Sequence, residues 1–324
     1  MVPAEAVGVR SFEARSLGSP LRLHVDVGSG STFGLDAAAL AWDEVRSEFD
    51  AVDHALSRFR DDSELSALNR RAGDGGVATV SWRLRSAIAL MARAARVTDG
   101  RFDPTFVGDL ERLGEHGADL GSGMSQLPTG PTDATLLERP RLVAVPPVPL
   151  DTGGIGKGLA LRWAAARVRL RAGDGAILLE AGGDVVAAGR AATPWRVGVE
   201  DPVAARGSHA DPLAVVALER GAVATSSVSV RRWVAPDGRQ VHHLLDPRTR
   251  EPARTGLLSV TVSDPDPAWA EVWTKALFLA GRTGIRDEAR ARGLAAWWVD
   301  ADGALGMTPA ARALSIWVAE DRVG

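Results

Sequence analysis

The sequence predicts an α+β protein in which mixed sheets pack against helices. Segments with helical periodicity concentrate in the first half of the 324 residues, and strand-like segments concentrate in the second half. This order lacks the strict alternation of strands and helices that is typical of a doubly wound fold. Neither an internal repeat nor a linker-like segment divides the chain. We therefore expect one domain over residues 10–320.

In the first half, an alternation of apolar residues over 21–27 predicts a half-buried strand. Apolar residues spaced by three and four over 42–59 predict a long amphipathic helix, for which Asp36 is the expected N-cap. A second helix is expected over 82–97. The segment 114–131 has many Gly, Pro and Ser residues and little periodicity, so we expect a flexible loop there.

In the second half, a short strand over 142–145 leads into a glycine-rich segment, and a third helix is expected over 159–170. The last substantial helix is expected over 267–280. Further strands are expected over 176–180, 195–199, 214–218, 241–245, 258–262, 297–299 and 316–318. The last two of these strands are expected to close the sheet.

The composition excludes several classes of protein. Lys and Arg number 38 against 41 Asp and Glu, so the basic excess that is typical of nucleic-acid binding is missing. The chain has no Cys, which excludes disulfides, thiolate metal sites and cysteine nucleophiles. No apolar run approaches the length of a membrane span, and residues 1–16 lack the pattern of a signal peptide. The expected location is therefore cytoplasmic.

Lysine is rare in this chain, and its two positions therefore mark candidate functional sites. Lys157 and Lys275 are the two lysines, all other basic residues are Arg, and Asn69 is the single asparagine. An ammonium is a compact charge, whereas a guanidinium is a planar fork, so Arg cannot replace Lys at a tight site. The alternative is that either lysine is present by chance and has no functional role.

The glycine-rich segment 151–158 predicts a phosphate-binding loop. Its four glycines allow backbone N–H groups to approach a ligand closely, and the segment leads into a helix N-terminus, where anions bind favourably. Lys157 can contact a phosphate as a point charge, and Asp151 can accept a hydrogen bond from a base or a ribose. The spacing fits neither a Walker A loop nor a dinucleotide-binding fingerprint.

Three further motifs have both a functional and an ordinary interpretation. The segment 100–105 can offer backbone groups to a planar ligand, or it can be a plain turn. His243 can act as a general base near neutral pH, or it can be a structural histidine. Glu271 and Lys275 share one face of the last helix, either beside a cleft or as a surface ion pair.

As an ordered set, the motifs of this chain closely resemble those of the ApbE family, the FAD:protein FMN transferases. The resemblance covers residues 10–320, and seven motifs carry it: S-R-F-R-x-D-S-E-L-S-x-L-N from residue 57, G-R-F-D-P-T from 100, L-D-x-G-G-I-G-K-G from 150, A-G-G-D from 181, A-T-S from 224, H-H-L-L-D-P-R-T from 242 and A-E-V-W-T-K-A-L-F from 270.

The resemblance implies an α+β fold with FAD in a cleft, either as one body or as two subdomains around that cleft. It implies transfer of the FMN part of FAD to a Ser or Thr hydroxyl of an acceptor flavoprotein, with AMP as the leaving group. His243 then matches the base for the acceptor hydroxyl, and Lys157 and Lys275 complete the catalytic set. The positions that match FAD contacts are Leu17, Phe59, Arg101, Phe102, Asp103, Asp151, Lys157 and Leu245.

The metal site implied by the resemblance differs in this chain. The family typically has Asp, and Thr four residues later, as Mg²⁺ ligands on the last helix; the matching positions here are Glu271 and Lys275, with Thr274 between them. Gly154 would add a backbone oxygen. Since an ammonium has no lone pair, Lys275 cannot be a ligand. Either Mg²⁺ binds through Gly154, Glu271 and Thr274, or the Lys275 ammonium lies where the metal charge would be.

Two other activities remain open for this chain. The same site would be an FAD pyrophosphatase, giving FMN and AMP, if water replaced the acceptor hydroxyl. A non-catalytic FAD-binding carrier is the alternative from another class, and the altered metal positions are its main support. Ser227 and Arg250 stand where the family usually has Gly, so the local turns there are expected to differ.

Overall fold

The computed structural model describes residues 8–28, 31–118, 141–204 and 210–324. The chain divides into two compact units. Of the described residues, the first unit contains 8–28, 31–49, 157–204, 210–230 and 254–324, and the second contains 50–118, 141–156 and 231–253. Of the expected flexible loop over 114–131, residues 119–131 lie outside the described residues, and that loop stays a prediction.

The strands of the described residues are short to medium in length. In chain order they are β1 (Val9–Ser16), β2 (Ser19–Asp26), β3 (Val77–Thr79), β4 (Leu142–Ala144), β5 (Ile177–Ala181), β6 (Asp184–Ala188), β7 (Trp195–Val199), β8 (Ala214–Leu218), β9 (Gly221–Ser227), β10 (Arg232–Val234), β11 (Gln240–His242), β12 (Leu245–Asp246), β13 (Glu251–Pro252), β14 (Leu257–Asp264), β15 (Ala295–Asp300), β16 (Leu305–Met307) and β17 (Ser315–Val318).

The helices of the described residues range in length from 6 residues in α2 to 25 residues in α6. In chain order they are α1 (Leu35–Leu56), α2 (Glu64–Asn69), α3 (Trp82–Val97), α4 (Val107–Arg112), α5 (Gly156–Arg171), α6 (Pro267–Ala291) and α7 (Pro309–Leu314). No helix of the described residues is both long and apolar enough to cross a membrane.

An eight-stranded antiparallel sheet organises the first unit, with the strand order β1-β2-β5-β6-β9-β14-β15-β16. In β2, the side chains of Leu21, Leu23 and Val25 are buried while their neighbours are partly exposed, as the alternation of the sequence predicts. Helix α6 packs against β9 and β14. The predicted α+β class with mixed sheets and packed helices is confirmed.

A second, three-stranded sheet in the first unit has the order β17-β8-β7. One hydrophobic cluster contains side chains of both sheets, including Trp297 of β15 and Val216 of β8, so the two sheets share a core. The expectation that residues 316–318 close the same sheet as 297–299 is wrong, because β17 pairs with β8 instead. Pairing partners that are distant in sequence leave no signal in local periodicity.

The start and the interruption of helix α6 lie at residue types that are typical of such positions, namely Asp, Pro and Gly. The Asp266 carboxylate accepts a hydrogen bond from the N–H of Ala268. Pro267 occupies the first turn, where its missing backbone N–H costs nothing because that group has no partner within a helix. Gly281 has φ +73°, so the regular helix is interrupted at the residue after the predicted end of 280. A second helical stretch then continues to Ala291, which the sequence analysis did not predict.

Gly158 sets how closely α5 approaches α6. A Cβ at this position would lie 2.6 Å from both the Cα of Ala268 and the carbonyl oxygen of Pro267, closer than any side chain tolerates. The glycine therefore lets the start of α5 contact the start of α6 through backbone atoms. This contact brings the first turn of α5 next to Glu271.

The second unit contains the helices α2, α3 and α4 together with two-stranded sheets. Strand β3 pairs with β4, β10 with β11, and β12 with β13, all antiparallel. A small apolar core contains Leu110, Leu113, Ala235, Val241 and Leu245. The single strand expected over 241–245 is wrong: β11 ends at residue 242 and β12 begins at residue 245, with His243 and Leu244 between them.

Asn69 fixes the entry to the glycine-rich segment within the second unit. It is buried at the end of α2, its Nδ2 donates to the carbonyl oxygen of Leu150 at 2.8 Å, and its Oδ1 accepts from the N–H of Leu150 at 2.9 Å. A short amide side chain thereby satisfies both backbone groups of one buried residue. This pairing explains why the chain's single asparagine lies here.

We expect Asn69→Ala to lower the free energy of unfolding by about 3 kcal/mol, because it leaves two buried backbone groups of Leu150 without partners. Urea unfolding followed by circular dichroism measures the change. Gln240→Ala, which removes an amide from an exposed position of the same unit, is the matched control and is expected to change the value by less than about 0.5 kcal/mol. Equal stability of Asn69→Ala and the control would contradict the role given to Asn69.

Candidate active site

Four ionisable side chains of the first unit come together around the start of α5. Lys157 is the second residue of α5, and Asp184 is the first residue of β6, after the tight turn at Gly182 and Gly183. Glu271 and Lys275 follow each other by one turn on α6. We call Lys157, Asp184, Glu271 and Lys275 the acid–lysine cluster.

The two lysines of the cluster converge on one carboxylate. Lys157 Nζ contacts Asp184 Oδ2 and lies 3.4 Å from Glu271 Oε1. Lys275 Nζ lies 3.5 Å from the same Oε1 and 3.2 Å from the carbonyl oxygen of Glu271. Glu271 Oε2 accepts the N–H of Gly158 at 2.8 Å. Both oxygens of Glu271 are therefore engaged.

Burial and charge oppose each other in this cluster. Burial alone would lower the pKa of Lys157, but the charges of Asp184 and Glu271 outweigh it and raise that pKa above its ordinary value. Burial alone would raise the pKa of Glu271, but the charges of Lys157 and Lys275 outweigh it and hold that pKa below its ordinary value. Lys157 and Glu271 therefore stay charged at neutral pH.

The other two members of the cluster respond mainly to burial. Burial raises the pKa of Asp184, although the charge of Lys157 opposes the shift, and burial lowers the pKa of Lys275, although the charge of Glu271 opposes it. Asp184 Oδ1 also accepts the N–H of Thr225 at 2.9 Å. Glu271 and Lys275 are not a surface pair, since the Glu271 side chain is only 2% exposed.

The oxygen donors of the cluster do not fit Mg²⁺. This cation prefers an octahedral set of oxygen ligands, whereas the candidate ligand Glu271 already has two ammonium groups at Oε1 and an N–H at Oε2. The Thr274 hydroxyl donates to the carbonyl oxygen of Glu271 at 2.8 Å and pairs with Ser226 Oγ at 2.7 Å. Among the described residues, no group of three His, Asp or Glu side chains is placed to hold a metal. The two alternatives that the sequence leaves open for the metal charge stay predictions.

Leu17 lies in the turn between β1 and β2 and has φ +49°. That turn is close to the cluster, because Gly182 donates its N–H to the carbonyl oxygen of Pro20 at 2.9 Å. A Cβ at Gly182 would lie 3.6 Å from Lys157 Cδ. The segment that follows the predicted contact residue Leu17 is thus joined through Gly182 to the neighbourhood of Lys157.

In the second unit, hydrogen bonds fix the glycine-rich segment on both sides of Asp151. The N–H of Asp151 donates to the carbonyl oxygen of Pro104 at 2.7 Å, and Thr152 Oγ1 donates to the carbonyl oxygen of Leu56 at 2.7 Å. Asp151 Oδ1 accepts the N–H of Gly153 at 2.7 Å. Gly154 lies in the turn that follows. The structure therefore brings Asp151 next to the predicted turn over 100–105.

The ring of Phe59 lies close to the guanidinium groups of two arginines. The expected helix over 42–59 ends earlier, at Leu56, which leaves Phe59 in the following turn with 56% of its surface exposed. The guanidinium carbon of Arg58 lies 4.2 Å from the Phe59 ring centroid, and that of Arg231 lies 5.9 Å away. An exposed aromatic ring of this kind is suited to stacking against a planar ligand.

Glu115 pairs with both arginines beside Phe59. Arg231 Nε and Nη2 lie 2.5 Å from Glu115 Oε1 and Oε2, and Arg58 Nη2 lies 2.5 Å from Oε2. Arg58 Nε also lies 3.4 Å from Asp151 Oδ2. A bidentate pair fixes a guanidinium in one orientation, so Glu115 positions the arginines around the Phe59 ring.

The turn over 100–105 follows the C-terminus of α3, where Gly100 has the positive φ (+79°) expected of a helix-ending glycine. The side chain of Phe102 is buried, and its N–H donates to Thr98 Oγ1 at 2.9 Å. Arg101 lies between Gly100 and Phe102 in the chain. Phe102 can therefore offer a ligand its carbonyl group but not its ring.

Asp103 is the carboxylate that Arg250 fixes. Arg250 Nη1 lies 2.9 Å from Asp103 Oδ2, Arg250 Nε lies 2.7 Å from Asp109 Oδ2, and Arg250 Nη2 donates to the carbonyl oxygen of Thr105 at 2.7 Å. Arg250 has φ +58°, a left-handed conformation that favours glycine. The ion pairs of Arg250 explain how a charged residue is kept in a backbone conformation that favours glycine.

We expect Arg250→Ala and Arg250→Gly both to destabilise the chain by about 3 kcal/mol, because each leaves Asp103 and Asp109 without their partner. The Gly variant is expected to be about 1 kcal/mol more stable than the Ala variant, since glycine tolerates the positive φ. Urea unfolding of both variants measures the difference. Equal stabilities would contradict the strain assigned to this residue.

His243 follows β11 and is half-buried. Its Nδ1 lies 3.2 Å from the carbonyl oxygen of Arg231, which can only accept a hydrogen bond. In the tautomer with its proton on Nδ1, His243 donates to that carbonyl oxygen, and Nε2 then has the lone pair that a general base requires. The Leu245 side chain, by contrast, is buried in the small core of the unit, so only its backbone can contact a ligand.

Sequence reasoning missed several residues that the geometry makes prominent. Asp184 occurs in a motif that was noted, but its contact with Lys157 joins residues 27 positions apart and leaves no local signal. The remaining ones are charged residues that had no assigned role: Arg58, Glu115 and Arg231. Of these three residues, only Arg58 lies inside one of the ordered motifs, so the motifs could have indicated Arg58 but neither Glu115 nor Arg231.

Comparison with known proteins identifies the family. The model of the ApbE family matches residues 17–298. The chain is 28% identical to the FAD:protein FMN transferase of Salmonella typhimurium over 84% of this chain and 81% of that protein, and 30% identical to that of Treponema pallidum over 74% and 71%. The crystal structure of the ApbE protein from Thermotoga maritima superposes with a TM-score of 0.79 at 26% identity, over 95% of this chain and all of that one.

This chain belongs to the ApbE family. The family that its ordered motifs indicate is thereby confirmed, and the α+β fold is the fold of that family.

Proposed function

We propose that this chain is an FAD:protein FMN transferase, which moves the FMN moiety of FAD to a Ser or Thr hydroxyl of an acceptor flavoprotein and releases AMP. The relatives that cover most of its length carry that activity in their names. The observation that carries the proposal is the orientation of His243, whose Nδ1 is held by a backbone carbonyl so that Nε2 can accept a proton.

In the proposed reaction, the acceptor hydroxyl oxygen attacks the phosphorus on the FMN side of the pyrophosphate. A new P–O bond forms to the acceptor, the bond from that phosphorus to the bridging oxygen breaks, and AMP leaves with the bridging oxygen. The hydroxyl proton passes to His243 Nε2. Phosphoryl transfer of this kind depends mostly on positioning and on stabilisation of charge.

The proposed roles of the site residues follow from their chemistry. The ammonium groups of the acid–lysine cluster stabilise the negative charge of the phosphates and of the departing AMP. His243 is the base, Phe59 is the stacking surface for the flavin, and Asp103 and Asp151 are acceptors for the adenosine part. The backbones of Arg101, Phe102 and Leu245 and the residue Leu17 complete the expected FAD contacts.

Covalent flavin transfer is the direct test of this proposal. The full chain is incubated with FAD and a protein extract of its source organism, and the denatured proteins are separated and inspected for flavin fluorescence under ultraviolet light. We expect a fluorescent band that requires the added chain, together with AMP detected by chromatography. His243→Ala should yield neither.

The alternatives give different results in the same experiment. Release of FMN and AMP without any fluorescent band would identify an FAD pyrophosphatase, in which water replaces the acceptor hydroxyl. Binding of FAD with neither AMP nor a band would identify a carrier. The cytoplasmic location, the absence of nucleic-acid partners and the role of Mg²⁺ stay predictions.

A further inference from the structure

The acid–lysine cluster already contains the positive charge that a divalent cation would bring. Lys157 and Lys275 both approach Oε1 of Glu271, at 3.4 and 3.5 Å, and the side chain of Lys275 is only 17% exposed. With two ammonium groups and two carboxylates, the formal net charge of the cluster is zero. A divalent cation at Glu271 would have to lie beside two positive charges.

The remaining oxygen atoms around Glu271 also have partners. Its Oε2 accepts from Gly158, its carbonyl oxygen accepts from Thr274 at 2.8 Å and lies 3.2 Å from Lys275 Nζ, and the Thr274 hydroxyl pairs with Ser226. An ammonium has three donors and no lone pair, so Lys275 can contact an anion but cannot be a metal ligand.

The position of Lys275 on α6 makes its ammonium a fixed feature of the site. It lies one turn after Glu271, and its Nζ reaches back to both the carbonyl and the carboxylate of that residue. A resident ammonium held in this way presents positive charge without a binding step, whereas a metal ion must first be captured from solution.

We propose that Lys275 replaces a divalent cation in this chain, so that the acid–lysine cluster stabilises the pyrophosphate of FAD without bound metal. This inference rests on the proposed function for the identity of the anion. It makes two claims that can be separated: the chain has no site for a divalent cation at Glu271, and its chemistry does not need one.

The first claim is tested without turnover, by titration of Mn²⁺ into the full chain in the absence of FAD. Electron paramagnetic resonance measures the free ion, because protein-bound Mn²⁺ loses the sharp six-line signal of the aquo ion. We expect the signal with the wild-type chain to equal that of buffer. We expect Lys275→Thr, which removes the ammonium and adds a hydroxyl beside Glu271, to bind about one Mn²⁺ per chain.

The matched control is Arg290→Thr, which removes the same charge and introduces the same residue in the exposed last turn of α6. It is expected to behave as the wild type does. Binding of one Mn²⁺ by the wild-type chain would overturn the inference. So would a folded Lys275→Thr variant, checked by circular dichroism, that leaves the free Mn²⁺ signal unchanged.

The second claim is tested by the rate of AMP release from FAD in the presence of the protein extract that supplies the acceptor, with Mg²⁺ or with a chelator. The wild-type rate is expected to differ by less than twofold between the two conditions, whereas Lys275→Thr is expected to need Mg²⁺ and to lose at least tenfold in chelator. A wild-type rate that collapses in chelator would overturn the inference. If no condition gives AMP, the proposed function has failed, and the Mn²⁺ titration still decides whether Lys275 excludes a divalent cation.

Discussion

Replacing Lys157 with methionine is expected to slow AMP release from FAD by about 10²- to 10³-fold, the usual cost of removing one fixed charge donor that acts on the transition state. The charges of Asp184 and Glu271 raise the pKa of Lys157 against the effect of burial, so its ammonium is charged throughout the working pH range. The methionine side chain keeps most of the aliphatic stem that passes Gly182 and removes only the charge. Chromatographic separation of FAD, FMN and AMP measures the rate.

Loss of stability must be separated from loss of function in this variant. Lys157→Met leaves the buried carboxylate of Asp184 without its close partner and is expected to cost about 3 kcal/mol of stability. The double variant Lys157→Met, Asp184→Asn removes both charges, and the amide oxygen can still accept the N–H of Thr225. It is expected to recover most of the stability but none of the rate. Recovery of the rate in the double variant would show that Lys157 acts only by neutralising Asp184.

Replacing His243 with alanine is expected to slow transfer by about 10²- to 10⁴-fold, the range for removal of a general base. Binding of FAD, measured by flavin fluorescence, is expected to change by less than about threefold, because the proposed role of His243 concerns the acceptor hydroxyl.

The neighbouring histidine provides the control for His243. His242 ends β11, its Nδ1 accepts the N–H of Leu244 at 3.3 Å, and burial lowers its pKa from the ordinary value of 6.5. His242→Ala is expected to retain most of the transfer rate. An unchanged transfer rate in His243→Ala, or an equal loss in both variants, would remove His243 from the proposed mechanism.

Local patterning predicted several elements whose burial alternates along the chain, among them β2, β7 and β8. The predicted bounds of the helix over 82–97 and of the strands over 195–199 and 214–218 are those of α3, β7 and β8. Strands β6 and β9 were not predicted, because nearly all of their residues are buried and many are small. Such segments lack the alternation by which a half-buried strand is recognised.

The sequence by itself determined the family, the α+β class and the identity of most candidate site residues, because ordered motifs and the scarcity of lysine are properties of the chain alone. It placed Glu271 and Lys275 on one face of a helix, but it gave no partner for Lys157. Tertiary structure decided that point: close packing of α5 on α6 at Gly158 places Glu271 beside Lys157, and the turn before β6 adds Asp184. Contacts across 27 and 114 positions depend on how the elements pack, and periodicity does not encode that packing.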